Sequence, residues 1–335
     1  MDRALPELIK PDSIRPVLLA DIGGTNLRFA LGEGPSQPLR ADSIRRYRAA
    51  DHGSLGEAAA RYVDELAVQP HAGVFAVAGR VDAGEVKITN LPWTVSAQAV
   101  AKQLSLASVR LVNDFAAQSR CLPLLTSDDL EVIGSVPAPS LAGGAARTVA
   151  VAGPGTGLGV GALLMRDGRA IELETEGGHL SFAPGSDEEV AVLARLRARF
   201  GRVSNERVVC GNGLYNLYVA LCEIAGETPR AQNQEAVSLA ATDGGDAHAV
   251  RAVELFCEIF GAICGDLVFA FGAWDGVYLT GGLLEPMLPW IRRGGFRRRF
   301  EDKGRFSPTM AKIPTLAITH PHTGLLGAAA IALDG

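Results

Sequence analysis

One pattern occurs twice in this chain and narrows the folds open to it. From Val17 the sequence reads VLLADIGGTNLRFAL, an apolar run, a Gly-Gly turn and a second, partly alternating apolar run. From Thr148 it reads TVAVAGPGTGLGVGALLM, with the same order of run, glycine-rich turn and run. Both are strand–turn–strand signatures. Thr25 and Thr156 hold matching places in the two turns, much further apart than the about 20–50 residues of a solenoid repeat. The pattern predicts a duplicated domain core that faces its copy across a cleft.

The 335 residues suggest two domains at about 150 residues each. Strand patterns near 39–48, 73–78, 85–89, 108–112, 276–280 and 314–318 interleave with helical patterns. The helices are expected at 54–67, 95–104, 187–200, 213–225, 234–241, 246–272 and 323–333, with a further one opened by Asn113 and Asp114. Alternation of this kind argues an α/β fold. Ser96 is the expected N-cap of the 95–104 helix.

Composition removes several function classes. With 47% hydrophobic and 21% charged residues, usage is that of an ordinary globular protein. The net charge of -5 gives no basic face for nucleic acid across the chain as a whole. The basic run Arg292-Arg293 and Arg297-Arg298-Arg299 is followed by Glu301 and Asp302 and reads as a solvated helical face. The five cysteines are scattered, odd in number and without a C-x-x-C pair. With a polar, proline-broken start in place of a secretory signal, they point to free thiols in a reducing cytoplasm. The most apolar helical stretch, Phe256 to Trp274, contains Glu258 and Asp266 and reads as a buried core helix, so no membrane partner is expected.

Familiar nucleotide and metal motifs are missing. No glycine precedes any lysine, so there is no P-loop, and no literal G-x-G-x-x-G or H-E-x-x-H occurs. Three glycine turns after strands remain: Asp21-Ile22-Gly23-Gly24-Thr25-Asn26, Gly153-Pro154-Gly155-Thr156-Gly157 and Thr280-Gly281-Gly282. Glycine lets backbone approach phosphate oxygens, and successive N–H groups form an anion-binding nest. Asp21 is a poor phosphate neighbour unless Mg²⁺ lies between, which makes it a candidate anchor for a metal-bound water. Asn113-Asp114, at the end of an apolar strand, can be a simple N-cap. Asp114 can also act as a general base at the carboxyl edge where α/β clefts lie. Glu176-Gly-Gly-His179 sets a carboxylate and an imidazole around two glycines, which suits a polyol. Glu206, read alone, is a solvated helix-start acid.

These residues also carry a resemblance. LLADIGGTNLRFAL, ITNLPW, LVNDFAAQ, GPGTGLGVG, EGGHLSFAP, SNERVVCGNGLYNLY, LTGGL, FEDKGRF and GLLGAAA follow one another from residue 17 to 331. In that order they resemble the bacterial ATP-dependent glucokinases, the non-zinc group of the actin/hexokinase/Hsp70-like sugar kinases. The resemblance implies a two-domain actin-like ATPase (ribonuclease H-like) fold and transfer of phosphate from MgATP to glucose. It makes Ala20, Asp21, Ile22, Gly23, Gly24 and Thr25 a first phosphate segment, Gly155, Thr156 and Gly157 a second, and Gly281 and Gly282 an adenosine segment. Asn90, Asn113, Asp114, Glu176, His179 and Glu206 match sugar-contacting positions, with Asp114 as the base. It implies a cytoplasmic homodimer with Mg²⁺ as cofactor. The expected division is an N-terminal extension at 1–16, a small domain at 17–124 plus 320–335, and a large domain with helical insertions at 125–319.

Two departures stand out. No cysteine lies between Cys121 and Cys210, which argues against the zinc-bearing relatives, so no structural zinc is expected. Cys210-Gly-Asn-Gly213 stands where the family more often shows Ser-Gly-Pro-Gly, in a stretch expected to cap a helix. The competing readings are a kinase for another hexose and a non-catalytic sugar sensor on the same scaffold.

Overall fold

The computed structural model describes residues 15–88, 91–141 and 145–334. Most of the expected N-terminal extension, together with Asn90, lies outside them. In chain order the elements are β1 (Val17–Ile22), β2 (Asn26–Gly32), β3 (Arg40–Arg48), α1 (Leu55–Leu66), β4 (Ala72–Val77), β5 (Val81–Asp82), β6 (Glu85–Lys87), β7 (Thr94–Ser96), α2 (Ala97–Gln103), β8 (Ser108–Asn113) and α3 (Asp114–Arg120). There follow β9 (Leu130–Val132), β10 (Arg147–Pro154), β11 (Leu158–Arg166), β12 (Arg169–Glu174), α4 (Asp187–Phe200), α5 (Gly211–Ala225), α6 (Gln234–Thr242) and α7 (Ala247–Phe271). The last are β13 (Val277–Leu279), α8 (Leu284–Ile291), α9 (Gly295–Glu301), α10 (Ser307–Met310), β14 (Thr315–Ile318) and α11 (Thr323–Leu333). The described residues form two compact units, one running to Cys121 and resuming at His322, the other Leu122–Pro321.

The first unit is built on a sheet of order β3-β2-β1-β4-β8, with β3 at one edge. The strands β1, β4 and β8 run parallel, while β2 and β3 return antiparallel. Alternation along β1 serves both faces of the sheet. Leu18, Ala20 and Ile22 join Phe29, Tyr62 and Phe75 in one core. Leu19 joins Leu325, Ala328 and Ala329 of α11 in another. Close packing of α11 requires glycine at 327, because a Cβ there would overlap the carbonyl of Ala117 in α3.

The second unit repeats the plan. Its sheet has the order β12-β11-β10-β13-β14-β9. With β9 set aside, both sheets run third, second, first, fourth, fifth, with the first, fourth and fifth strands parallel. The duplication anticipated from the two glycine hairpins is therefore present as matched topology. What differs is the helical material inserted after the third strand, α4 to α7. Of these, α7 is the expected core helix at Phe256 and buries Phe256, Phe260, Cys264 and Leu267. Among the described residues no helix is long and apolar enough to cross a membrane. All five cysteines are buried, and none is in a disulfide.

The basic run differs from its sequence reading. Arg292, Arg293 and Arg298 are solvated, but Arg299 is only 15% exposed and donates to Glu189 of α4, itself 2% exposed, at 3.0 Å. Glu189 also accepts from the Gly185 N–H at 2.7 Å. Arg297 donates to the Ile313 carbonyl at 2.7 Å. Period alone does not separate an arginine that faces water from one whose stem lies along α9 toward a carboxylate 110 residues away.

Breaking a buried pair leaves an uncompensated charge and costs about 3–5 kcal/mol. Arg299→Ala should therefore lower unfolding free energy by about 3 kcal/mol in a denaturant titration. A loss under about 1 kcal/mol would show that Glu189 regains water when its partner is removed.

Candidate active site

In the first unit, the predicted residues gather at the carboxyl edge of three neighbouring parallel strands. Ile22 pairs in register with Val77, and Val77 with Asn113. The turn after β1, the segment after β4 and the start of α3 thus share one edge, where ligands meet open α/β sheets. The Gly23 N–H donates to the Asn26 carbonyl at 3.0 Å and closes the first glycine turn. The Thr25 carbonyl accepts from the Ala49 N–H at 2.9 Å.

Asn113 does cap α3, with Oδ1 accepting from the N–H groups of Phe115 (2.9 Å) and Ala116 (3.1 Å). Its Nδ2 donates to the Gly79 carbonyl at 3.3 Å, which ties α3 to the segment after β4. The half-buried Asp114 accepts from the Phe115 N–H at 3.0 Å through Oδ1. The capping reading and the functional one are compatible, because the cap fixes the backbone that presents Asp114. Ser96, by contrast, precedes α2 without a side-chain capping bond.

Asp21 has two neighbours that the sequence reading missed. Arg28, facing it across the hairpin, donates to Oδ2 at 2.9 Å. The start of α11 comes so close that a Cβ on Gly324 would stand 2.6 Å from the Asp21 carboxyl carbon. Oδ1 takes no hydrogen bond among the described residues. No group of three His, Cys, Asp or Glu among them is placed to hold a metal. A lone carboxylate with one open oxygen fits Mg²⁺ that arrives on phosphates, since this ion keeps several waters and needs only one or two carboxylates.

In the second unit, the two remaining glycine turns are joined. The Thr280 N–H donates to the Ala152 carbonyl and the Leu283 N–H to the Pro154 carbonyl, each at 3.0 Å. A Cβ at Gly153 would stand 2.6 Å from the Thr280 carbonyl, and one at Gly281 2.5 Å from the Pro154 carbonyl. Gly281 also has φ +97°, a conformation open mainly to glycine. The approach of the two turns requires these glycines.

The predicted sugar-side residues of this unit converge on the same turn. One Glu206 carboxylate oxygen accepts from the Leu158 N–H at 3.0 Å and occupies the space where Gly157 has no Cβ. Gly178, between Glu176 and His179, lies directly against the Leu158 carbonyl. The Asn205 N–H donates to the Leu180 carbonyl at 2.8 Å, so the Glu206 segment and the Glu176–His179 turn are one construction. His179 Nε2 stands 3.8 Å from Glu176, and both side chains are exposed. The solvated-acid reading of Glu206 therefore does not hold, because its carboxylate buttresses the second glycine turn.

The departure at 210–213 opens α5. The Cys210 Sγ accepts from the Gly213 N–H at 3.2 Å and so serves as N-cap. Burial pushes its thiol up from the ordinary value, which keeps it neutral. The Gly211 N–H donates to the Gly155 carbonyl at 2.9 Å and fastens α5 to the glycine turn. There a cavity of about 300 Å³ opens, lined by Gly155, Thr156, Asn212, Gln234, Gly282 and Leu283.

Gly281→Ala should lower the thermal midpoint by the equivalent of more than 1 kcal/mol, on the order expected where φ is positive and space is absent. Gly282→Ala, with nothing within 4 Å of its Cβ position, should be nearly neutral. Equal midpoints in circular dichroism melts would show that the turns are not held this closely.

The chain matches the family model described as Glucokinase over residues 18–334. It is 53% identical over 323 residues to a glucokinase of Stenotrophomonas maltophilia, covering 96% of each protein. Among solved structures, a glucokinase from an Antarctic psychrotroph superposes with a TM-score of 0.84 at 33% identity, over 96% of this chain and 99% of that one. A glucokinase from Balamuthia mandrillaris in complex with glucose shares the fold, with a TM-score of 0.77 at 19% identity, over 96% and 94%. Strand order, duplicated glycine hairpins and these matches agree: the chain has the actin-like ATPase fold and belongs to the glucokinase family.

Proposed function

We propose that this protein transfers the γ-phosphoryl group of ATP to the 6-hydroxyl of D-glucose, the entry step of glycolysis. What carries this reading is the seat of Glu206, a carboxylate of the sugar-side construction whose oxygen is hydrogen-bonded to the backbone of the second glycine turn. One ligand position needs polyol chemistry and the adjoining one needs phosphate chemistry. Glucose is uncharged, so its recognition must come from paired donors and acceptors, and a missing hydroxyl would leave a buried partner unpaired. Asn113, Asp114, Glu176, His179 and Glu206 supply that mixture, with Asn90 a further contact.

In the reaction, the 6-oxygen of glucose attacks the γ-phosphorus in line. An O–P bond forms, the bond from the γ-phosphorus to the β,γ-bridging oxygen breaks, and ADP departs with that electron pair. Asp114 takes the hydroxyl proton. The turn at Ala20 to Thr25 and the turn at Gly155 to Gly157 cradle the phosphates, through those N–H groups that the turns' own bonds, Gly23 N–H to the Asn26 carbonyl and Gly155 N–H to the Gly157 carbonyl, leave open, and Gly281 and Gly282 flank the adenosine. Asp21 would hold a water of Mg²⁺, an ion that supplies neutralisation of phosphate charge. Catalysis is then largely positioning and electrostatics. The same reading makes the two units the small and large domains of a kinase. It also makes the working form a cytoplasmic homodimer, with glucose and ATP rather than nucleic acid or membrane as partners.

A coupled assay of ADP release with MgATP and glucose, beside fructose, mannose and N-acetylglucosamine, tests the reaction. Glucose should give the highest kcat/KM, and preference for another sugar would reassign the substrate. Asp114→Asn should lower kcat by about 10²–10⁴-fold, the usual contribution of a general base, while the fold persists in circular dichroism. Near-normal turnover would remove Asp114 from that role. Glu176→Gln should raise KM for glucose more than for ATP, and the reverse would place Glu176 on the nucleotide side.

A further inference from the structure

The first glycine turn is flanked by a row of charges that sheet pairing alone would disfavour. Asp21 of β1 stands opposite Arg28 of β2, and Arg28 stands opposite Arg46 of β3. At the turn itself, Asn26 stands opposite Arg48. Residues two apart along a strand share a face, so Asp21, Asn26, Arg28, Arg46 and Arg48 lie on one face of the sheet. Like charges directly opposite one another weaken a sheet, yet Arg28 and Arg46 are so placed. Each is turned to a polar side chain beside the turn. Arg28 donates to Asp21 Oδ2 at 2.9 Å. Arg46 closes on Asn26, where Nε and Nη2 both donate to Oδ1, at 3.0 and 2.9 Å. A guanidinium has donors only, so the carboxamide atom that faces it is the oxygen. The Nδ2 of Asn26 donates to no group among the described residues.

The Asn26 carbonyl closes the turn by accepting from the Gly23 N–H, so its side chain leaves from the frame of the turn. A carboxamide left to itself can present either its oxygen or its nitrogen to a ligand. The oxygen would repel a phosphate, and the nitrogen would bind one. Two guanidinium N–H groups on Oδ1 remove that choice and leave the two N–H donors of Nδ2 for an acceptor. Two cations placed opposite each other are best tolerated where an anion comes to rest. We propose that Arg46 is a positioning residue for the phosphoryl donor: it holds Oδ1 of Asn26, so that Nδ2 serves the triphosphate at the first glycine turn. This rests on the assignment of that turn to phosphates.

The test uses the full-length protein, with inorganic tripolyphosphate and adenosine as competitors of MgATP in excess Mg²⁺. Arg46→Ala should raise KM for ATP and the inhibition constant of tripolyphosphate by about 2- to 10-fold, the range for one lost hydrogen bond. The inhibition constant of adenosine and KM for glucose should stay at their wild-type values. Asn26→Ala should act in the same way and at least as strongly. The double variant should be no worse than Asn26→Ala alone, since residues that work as one pair are not additive. Arg46→Lys keeps the charge but loses the planar fork, and should retain most of the defect. Unchanged tripolyphosphate inhibition in Arg46→Ala would overturn the proposal. So would multiplied effects in the double variant, or full rescue by lysine, because either shows that the charge at residue 46 acts without Asn26. Equal weakening of adenosine would overturn it too, as the sign of a general disturbance. If tripolyphosphate fails to compete with ATP in the wild type, the phosphate assignment of the first turn falls, and this proposal falls with it.

Discussion

The second unit depends on a carboxylate lodged where a side chain is missing. Glu206 can reach the Leu158 amide only because Gly157 has no Cβ in its path. The carbonyl of the same Leu158 leaves room for nothing larger than Gly178. One residue of β11 therefore sets the positions of a glycine turn, an acid from a distant segment and the turn between Glu176 and His179. A hydrogen bond to a charged acceptor is stronger than one between neutral groups. Such a bond makes these parts a unit that moves together or not at all.

The two sheets show how one plan is adapted to two tasks. Each places its first strand centrally, with an antiparallel hairpin on one side and parallel strands on the other. In the first unit the carboxyl edge presents Asp21, Asn113 and Asp114 on backbone that local caps hold. In the second, the corresponding hairpin turn is pressed against the turn after β13, and inserted helices bring in Glu206, Asn212 and Gln234. On the proposed reading the base, Asp114, belongs to the plainer copy, and the sugar-side acids Glu176 and Glu206 to the elaborated one.

Much of this was legible in the sequence wherever the cause is local. Glycine turns between apolar runs, the cap at Asn113 and the apolar period of α7 are set by neighbours a few residues away. Interactions between distant segments were not legible. Arg28 reads as a polar strand residue until the hairpin folds it onto Asp21. Arg299 reads as solvated until α9 meets α4. The strand β12 was missed because it is a partly exposed edge, with Ile171 and Leu173 facing outward, so its alternation lacks a buried face. Cys210 showed a departure but not its meaning, since a thiol that accepts from an N–H is seen only once α5 begins beside it.

The edge strand β3 has a consequence for the protein as a solute. An edge exposes unpaired N–H and C=O groups to any passing strand, and long basic side chains are one way to keep such strands away. Arg45, Arg46 and Arg48 stand exposed along β3, and Arg46 folds back onto Asn26 at 2.9 Å. Two molecules meeting edge to edge would bring these like charges together before any backbone bond could form. These arginines thus work against aggregation through the open edge of the sheet.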